Sequence, residues 1–411
     1  MSYCYEIKDV FKDMDEEKKG IFLTYLSKGL EENVLEKRSS GSYTAKNKEV
    51  SFALEGEFMG RDIIELNIKD DKIITLIFNS YWKEGVLDFI EVSSEMPLDD
   101  WKEFINDKIT KAFAAAFAQK METFFFRHEF YYIGEKLDGD YFINGWRISP
   151  GTPECSYLGA ESMLYFDMKI EGINRTHALT KYEIRCNEIM AILSVVLDRG
   201  FYKNNSIEYR WGISDGKSNL FLLGYKGEEK YPTEMPKKDK KKLGTYVEPT
   251  ENGSVSYSFS TMKLPQNIRK LFRAYESLEY DEKTAFINAA RMYQLALSLG
   301  KNNVTVSSSY RIAALDALSK PLREDFKNKN AIMLLVQKYC PGNEIKIGRL
   351  YDSIRSAHFH QGVFRESDIN GFERNLFLGP QGLFRYESDW LIRDITRTVL
   401  VKWLTEKIPN D

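Results

Sequence analysis

From residue 265 to the C-terminus, apolar residues recur at three- and four-residue spacing, helix after helix, with no alternating strand-like run between them. Pro265 is placed to open a helix over 266–279. Asp281-Glu282 opens a second, in which Phe286, Ala290, Tyr293 and Leu297 form one apolar stripe before Gly300 stops it. Ser307, Ser308 and Ser309 are placed to cap a third, carrying Ile312, Leu315 and Leu318. A fourth covers 328–339. A fifth starts near Glu344, with Ile347, Leu350, Ile354 and Ala357 as its stripe, and must fail near Gly362. A last helix over 387–407 turns Trp390, Ile395, Val399 and Trp403 inward. Stripes of this kind are satisfied by packing on one another, so the expectation for 265–411 is an all-α bundle.

The preceding part has a different period. Residues 50–58, 62–69 and 72–79 are rich in β-branched and aromatic residues, and Gly60-Arg61 and Asp70-Asp71 read as hairpin turns between them. An amphipathic helix follows Pro97, with Trp101, Phe104, Ile105, Ile109 and Phe113 at helical spacing. Strands are expected at 131–133, 141–147 and 163–173, a helix over 181–198, and a hairpin from 206–213 and 218–225. The fold class is therefore α+β: a mixed module over 1–245, a linker over 246–264, and the helical part after it. The segment 224–252 holds Pro232, Pro236, Pro249 and the basic run Lys237, Lys238, Lys240, Lys241 and Lys242 without apolar periodicity. This segment reads as a linker or long surface loop, and its basic run as solvated or as a contact for RNA phosphates.

With 411 residues, 43% of them hydrophobic, the chain is long enough for two or three domains and is not a disordered segment. A formal net charge of −3 excludes a surface coated in positive charge, so nucleic acid would have to be met through a local patch. The four cysteines, Cys4, Cys155, Cys186 and Cys340, show no C-x-x-C pair and no histidine at metal-ligand spacing, which argues against structural zinc and a disulfide framework. The first twenty residues are acidic where a signal peptide is basic and apolar, and no apolar run reaches the roughly 18 residues of a membrane span. The expectation is a cytoplasmic protein with no membrane contact.

The most informative segment is Leu350-Tyr351-Asp352-Ser353-Ile354-Arg355-Ser356-Ala357-His358-Phe359-His360, which carries R-x-x-x-x-H at the end of an amphipathic helix. Read alone, Arg355 is as well explained by an intrahelical pair with Asp352, and His360 by the helix C-terminal dipole. The wider pattern resembles the HEPN superfamily, in particular its Apea-like domains, whose motif helix ends in a run like Leu-Tyr-x-x-Arg-Ser-x-x-x-His-Gly. The matching residues are Leu350, Tyr351, Arg355, Ser356 and His360, preceded by Ala314-Leu315-Asp316-Ala317-Leu318, which is similar to that family's Ala-Leu-Glu-x-Leu helix. Asp316 stands where the pattern has Glu, and Gln361 lies between His360 and Gly362. The resemblance covers about residues 265–407.

That resemblance implies a metal-independent endoribonuclease without cofactor, working as a homodimer whose motif helices form one composite site, in antiviral defence or as a toxin. Arg355 and His360 would be catalytic, with Ser356, Tyr351 and Asp316 supporting them and His358 either touching RNA or merely exposed. The residue types suit the chemistry, because imidazole can move a proton near neutrality while a guanidinium stays charged and forks onto phosphate oxygens. The resemblance also leaves room for an antitoxin, or for an activating ligand or phage protein acting on the N-terminal module. The rival expectation keeps the bundle but gives it only dimerisation or RNA binding. Other patterns are weaker. Gly212-Ile213-Ser214-Asp215-Gly216-Lys217-Ser218 has three residues between its glycines where a phosphate-binding loop needs four, and reads as a hairpin turn. The aromatic run 124–132 reads as a core strand in preference to a base-stacking surface.

Overall fold

The structure, a computed structural model, describes residues 3–45, 56–68, 72–83, 86–118, 121–151, 161–203, 211–214, 219–222, 232–249, 261–299, 303–322, 328–364 and 380–409. It is α+β and divides into two compact units, Met1–Glu122 and Thr123–Asp411. No helix among the described residues is long and apolar enough to cross a membrane.

The first unit is a five-stranded antiparallel sheet in the order β1-β5-β4-β3-β2, built from β1 (Tyr3–Ile7), β2 (Val34–Ala45), β3 (Gly56–Asn67), β4 (Ile73–Lys83) and β5 (Val86–Ser94). Helix α1 (Glu16–Glu31), capped by the Asp15 carboxylate on the Lys18 N–H at 2.8 Å, packs on α2 (Lys102–Ala118) and on β5. The helix expected after Pro97 is thus present, and it buries Trp101, Ile105 and Ile109. Gly60-Arg61 is not a turn. It lies in the middle of β3, where Gly60 pairs with Gly41 on β2 and Ser80 on β4, so the expected three short strands are two long ones.

The second unit has one continuous core running from Phe126 to Leu404. Its sheet has the order β6-β9-β8-β7, from β6 (Glu122–Ile133), β7 (Tyr141–Ile143), β8 (Trp146–Pro150) and β9 (Glu161–Gly172). β7 and β8 form a tight hairpin about Asn144-Gly145, both at positive φ (41° and 87°), where a single strand over 141–147 was expected. The aromatic run on β6 points Phe126, Phe130 and Tyr132 into this core. On the opposite face, Asp167 is fully buried between Arg127, whose Nε is 2.6 Å away, and Arg147, which also reaches Asp140 at 2.8 Å. The short pair β10 (Trp211–Ser214) and β11 (Asn219–Leu222) is antiparallel; the rest of the hairpin expected from 206–213 and 218–225 lies outside the described residues.

Helix α3 (Arg175–Leu197) lies on β9, with the Tyr182 hydroxyl donating to the Phe166 carbonyl at 3.1 Å. After it come α4 (Ile268–Glu276), α5 (Tyr280–Ser298), α6 (Val304–Leu318), α7 (Asn328–Tyr339), α8 (Glu344–Leu350), a π-helical turn (Tyr351–Ser356), α9 (Ala357–Gln361) and α10 (Pro380–Glu406); α5 and α10 pack on α3, α6 on α5 and α10, α8 on α7, and the π turn on α6. The helical part therefore does not begin a separate body at 265. Residues 123–245 belong with it, because α3 shares its core, and the first unit ends at Glu122. Ser307, Ser308 and Ser309 are buried inside α6 and do not cap it. Trp390 is 43% exposed, whereas Ile395, Val399 and Trp403 are buried as expected.

The expected linker is also tied down where it is described. Asp140 donates its N–H to the Lys242 carbonyl at 2.7 Å, Gly244 donates back to Asp140 at 3.1 Å, and the Asp138 carboxylate takes both the N–H and hydroxyl of Thr245. β12 (Tyr246–Val247) then pairs in parallel with β13 (Leu264–Pro265), and Met262 and Leu264 are buried. Residues 250–260 lie outside the described ones.

The end of α3 joins these layers. Asp198 caps it in the left-handed conformation (φ 53°), and its carboxylate accepts from the Tyr293 hydroxyl of α5 at 2.6 Å and from Arg393 of α10 at 2.6 Å. Arg397 donates to the carbonyls of Val195 and Val196, two of the groups a helix end leaves unsatisfied. Burial alone would raise the Asp198 carboxyl, but Arg393 and Arg397 outweigh it and hold it below its usual 3.8. A depressed carboxyl contributes its stability above the unfolded value and loses it as pH falls through the folded one. Asp198→Asn should therefore cost about 2 kcal/mol at neutral pH by weakening the charged hydrogen bonds of the partly buried Arg393. In urea titrations the difference from wild type should shrink only below pH 4. Burial, with Lys203 nearby, pushes the His128 imidazole from 6.5 down to about 4. The unfolded chain then binds the extra proton between those values, so stability falls as pH drops from 6.5 toward 4. His128→Phe should flatten that part of the stability profile.

Candidate functional site

The motif segment is not one uninterrupted α-helix. α8 ends at Leu350, residues Tyr351–Ser356 make a π turn, and α9 resumes at Ala357. Ile347, Leu350, Tyr351 and Ile354 are buried, with α8 packed on α7 and the π turn on α6. In an α-helix, residues five apart are separated by about 140° around the axis, which would part Arg355 from His360. Here Arg355 stands near the end of the π turn and His360 on α9, and the long arginine side chain brings its Nη1 to 3.4 Å from the His360 Nε2.

Arg355 is held from behind. Its Nη2 donates to the Asp316 Oδ2 at 3.2 Å, from a carboxylate near the end of α6 that is only 7% exposed. Its Nη1 also approaches the Tyr351 hydroxyl at 3.3 Å, and the guanidinium lies over the rings of Tyr351 (5.2 Å) and Phe359 (5.9 Å). A guanidinium has only donors, so the approach of Arg355 to His360 is a hydrogen bond when the facing imidazole nitrogen is the unprotonated one. His360 is exposed, and Arg355 is partly exposed. The cluster thus presents one cation and one imidazole toward solvent, with a carboxylate and a phenol beneath.

α9 stops at Gly362 in the left-handed conformation (φ 66°), and its N–H donates to the His358 carbonyl at 3.0 Å, so the extra Gln361 delays termination without preventing it. The chain folds back, the Val363 carbonyl lies 3.2 Å from the His358 Nδ1, and the Phe364 ring meets the His358 ring edge-on at 4.9 Å. His358 is therefore a half-buried pin for this turn, where an exposed side chain was the favoured expectation.

Four of the expected residues, Arg355, His360, Tyr351 and Asp316, are brought together. Ser356 closes the π turn, but its side chain lies outside the described ones. Lys237, Lys238, Lys240, Lys241 and Lys242 are exposed, the last three on a 3-10 turn (Lys240–Lys242) capped by Asp239. Among the described residues, none of these lysines bonds to a member of the Arg355 cluster. The residues not anticipated are Phe359 and Tyr310, whose rings meet edge-on at 5.8 Å beside Arg355. Nothing in the sequence pattern marks them, because the π turn sets which side chains α9 turns toward the guanidinium. No group of three His, Cys, Asp or Glu side chains among the described residues is placed to hold a metal ion. Comparisons with known protein families, curated proteins and solved structures returned no match.

The Asp316–Arg355 pair is partly exposed, and its main effect is orientation. Asp316→Asn should lower stability by no more than about 1 kcal/mol in thermal or urea unfolding. The same change should let the guanidinium wander, which broadens its Nε–H resonance in NMR spectra. Asp316→Glu should keep the resonance sharp.

Proposed function

We propose that this chain is a metal-independent endoribonuclease of the HEPN type, cutting RNA at a site shared by two copies of the chain. The observation that carries this reading is the convergence of Arg355 and His360 on a solvent-facing side of the π turn, with Asp316 and Tyr351 fixing the guanidinium.

In this mechanism the His360 Nε2 takes the proton of a ribose 2′-OH, whose oxygen attacks the adjacent phosphorus. Arg355 grips the phosphate oxygens and offsets the charge that grows on them. The O2′–P bond forms, the P–O5′ bond breaks, and the second copy's histidine protonates the departing 5′-oxygen. The products are a 2′,3′-cyclic phosphate and a 5′-OH. The dimer follows from the chemistry, since one chain supplies one motif histidine and the reaction has two proton transfers.

The biological setting is an inference from the resemblance: a cytoplasmic defence or toxin effector, restrained by an antitoxin or released by a ligand or phage protein at the N-terminal module. Wild-type protein in EDTA should cleave RNA, and Arg355→Ala and His360→Ala should each lower the rate by roughly 10²–10⁴-fold. The fragments should carry 5′-OH ends, read by kinase-dependent ligation and sequencing. RNA left intact under all conditions would assign the bundle to dimerisation or RNA binding alone.

A further inference from the structure

Next to the Arg355 cluster the surface is apolar. Phe359 and Phe364 are each 46% exposed and Val363 is 48% exposed, all within six residues of one another. Single exposed apolar side chains need no explanation, but three together beside a charged cluster do. None is there by looseness of the chain. Phe359 is braced edge-on by Tyr310 at 5.8 Å and by His358 at 5.3 Å, and Phe364 is braced by His358 at 4.9 Å. The fold holds these rings in place and leaves much of their area to solvent.

We propose that Phe359 is a base-stacking residue that selects the nucleotide flanking the scissile linkage. This rests on the ribonuclease reading of Arg355 and His360. The guanidinium sits 5.9 Å from the Phe359 centroid, so a phosphate held by Arg355 carries its neighbouring base into reach of that ring. A second copy of the chain is the other occupant such a patch admits. The base is favoured because the patch is continuous with a partly exposed guanidinium fit to hold a phosphate, and every nucleobase offers a flat π face. In a duplex the base faces are already stacked, so this site takes an unpaired stretch of RNA.

The test separates binding from cleavage. Fluorescein-labelled, fully 2′-O-methylated oligomers cannot be cut, and their affinity is read by anisotropy, with an abasic residue placed in turn at each position. DNA oligomers carrying a single ribonucleotide, the only attackable 2′-OH, report cleavage at one linkage with or without an abasic neighbour. Stacking predicts that Phe359→Ala weakens binding by about tenfold or more on the intact oligomer. It predicts no further loss on the oligomer lacking the stacked base, and rescue by Phe359→Trp. An equal loss on both oligomers would make Phe359 a positioning residue for Arg355 and overturn the proposal, as would no loss or no binding at all. Sedimentation velocity covers the remaining alternative, since a dimer that dissociates in Phe359→Ala would make the patch a subunit interface and overturn it too. Base-dependent binding without any cleavage would sink the ribonuclease reading and leave stacking in place. Cleavage indifferent to the neighbouring base would do the reverse.

Discussion

The second unit depends on one largely buried carboxylate, Asp198, with its side chain 17% exposed. Asp198 ends α3 in a conformation that turns the chain sharply, and from there it meets the Tyr293 hydroxyl of α5 and the Arg393 guanidinium of α10. Three elements distant in sequence are fixed to one point, while Arg397 occupies the carbonyls that α3 leaves open. Burying such a group is costly unless it is paired and hydrogen-bonded, and here each requirement is met by a different element. The α/β layer and the helical layer are consequently one body, and the chain divides at Glu122, well before the helical region starts.

The helices after 265 were largely legible because each carries a stripe that can be buried only at helical period. α7 falls on the expected residues, and α5 and α10 keep most of theirs. What failed was punctuation. Gly60-Arg61 looked like a turn, yet glycine facing glycine across two strands is equally compatible with a ladder in which no side chain intrudes. Asn144-Gly145 is a strong hairpin signal and was passed over because the residues on both sides are continuously apolar, as a strand buried on both faces would be. The serines of α6 have capping chemistry but lie inside the helix, where Ser308 bonds to Asp389 of α10. Tertiary partners decided their place, and these are invisible to local spacing. The lysine-rich segment read as a linker for the same reason: its attachments to Asp138 and Asp140 are backbone and cap bonds with no apolar period.

At the candidate site, residue types were readable and geometry was not. Arg355, His360, Tyr351 and Asp316 were all named by pattern, and the π turn through Tyr351–Ser356, which has no compositional mark, was not. Its effect is to move the hydrogen-bond register of the backbone by one residue, which changes the direction in which α9, with Phe359 and His360, leaves α8.

A π turn contains one residue more than the α turn it replaces, so the cluster sits one insertion away from an ordinary helix. Relaxing Tyr351–Ser356 to α geometry at unchanged length would rotate everything beyond it by about 100°. The imidazole would swing to another flank while the residues before the turn stayed packed. The arrangement can therefore be lost with every side chain of the cluster still encoded.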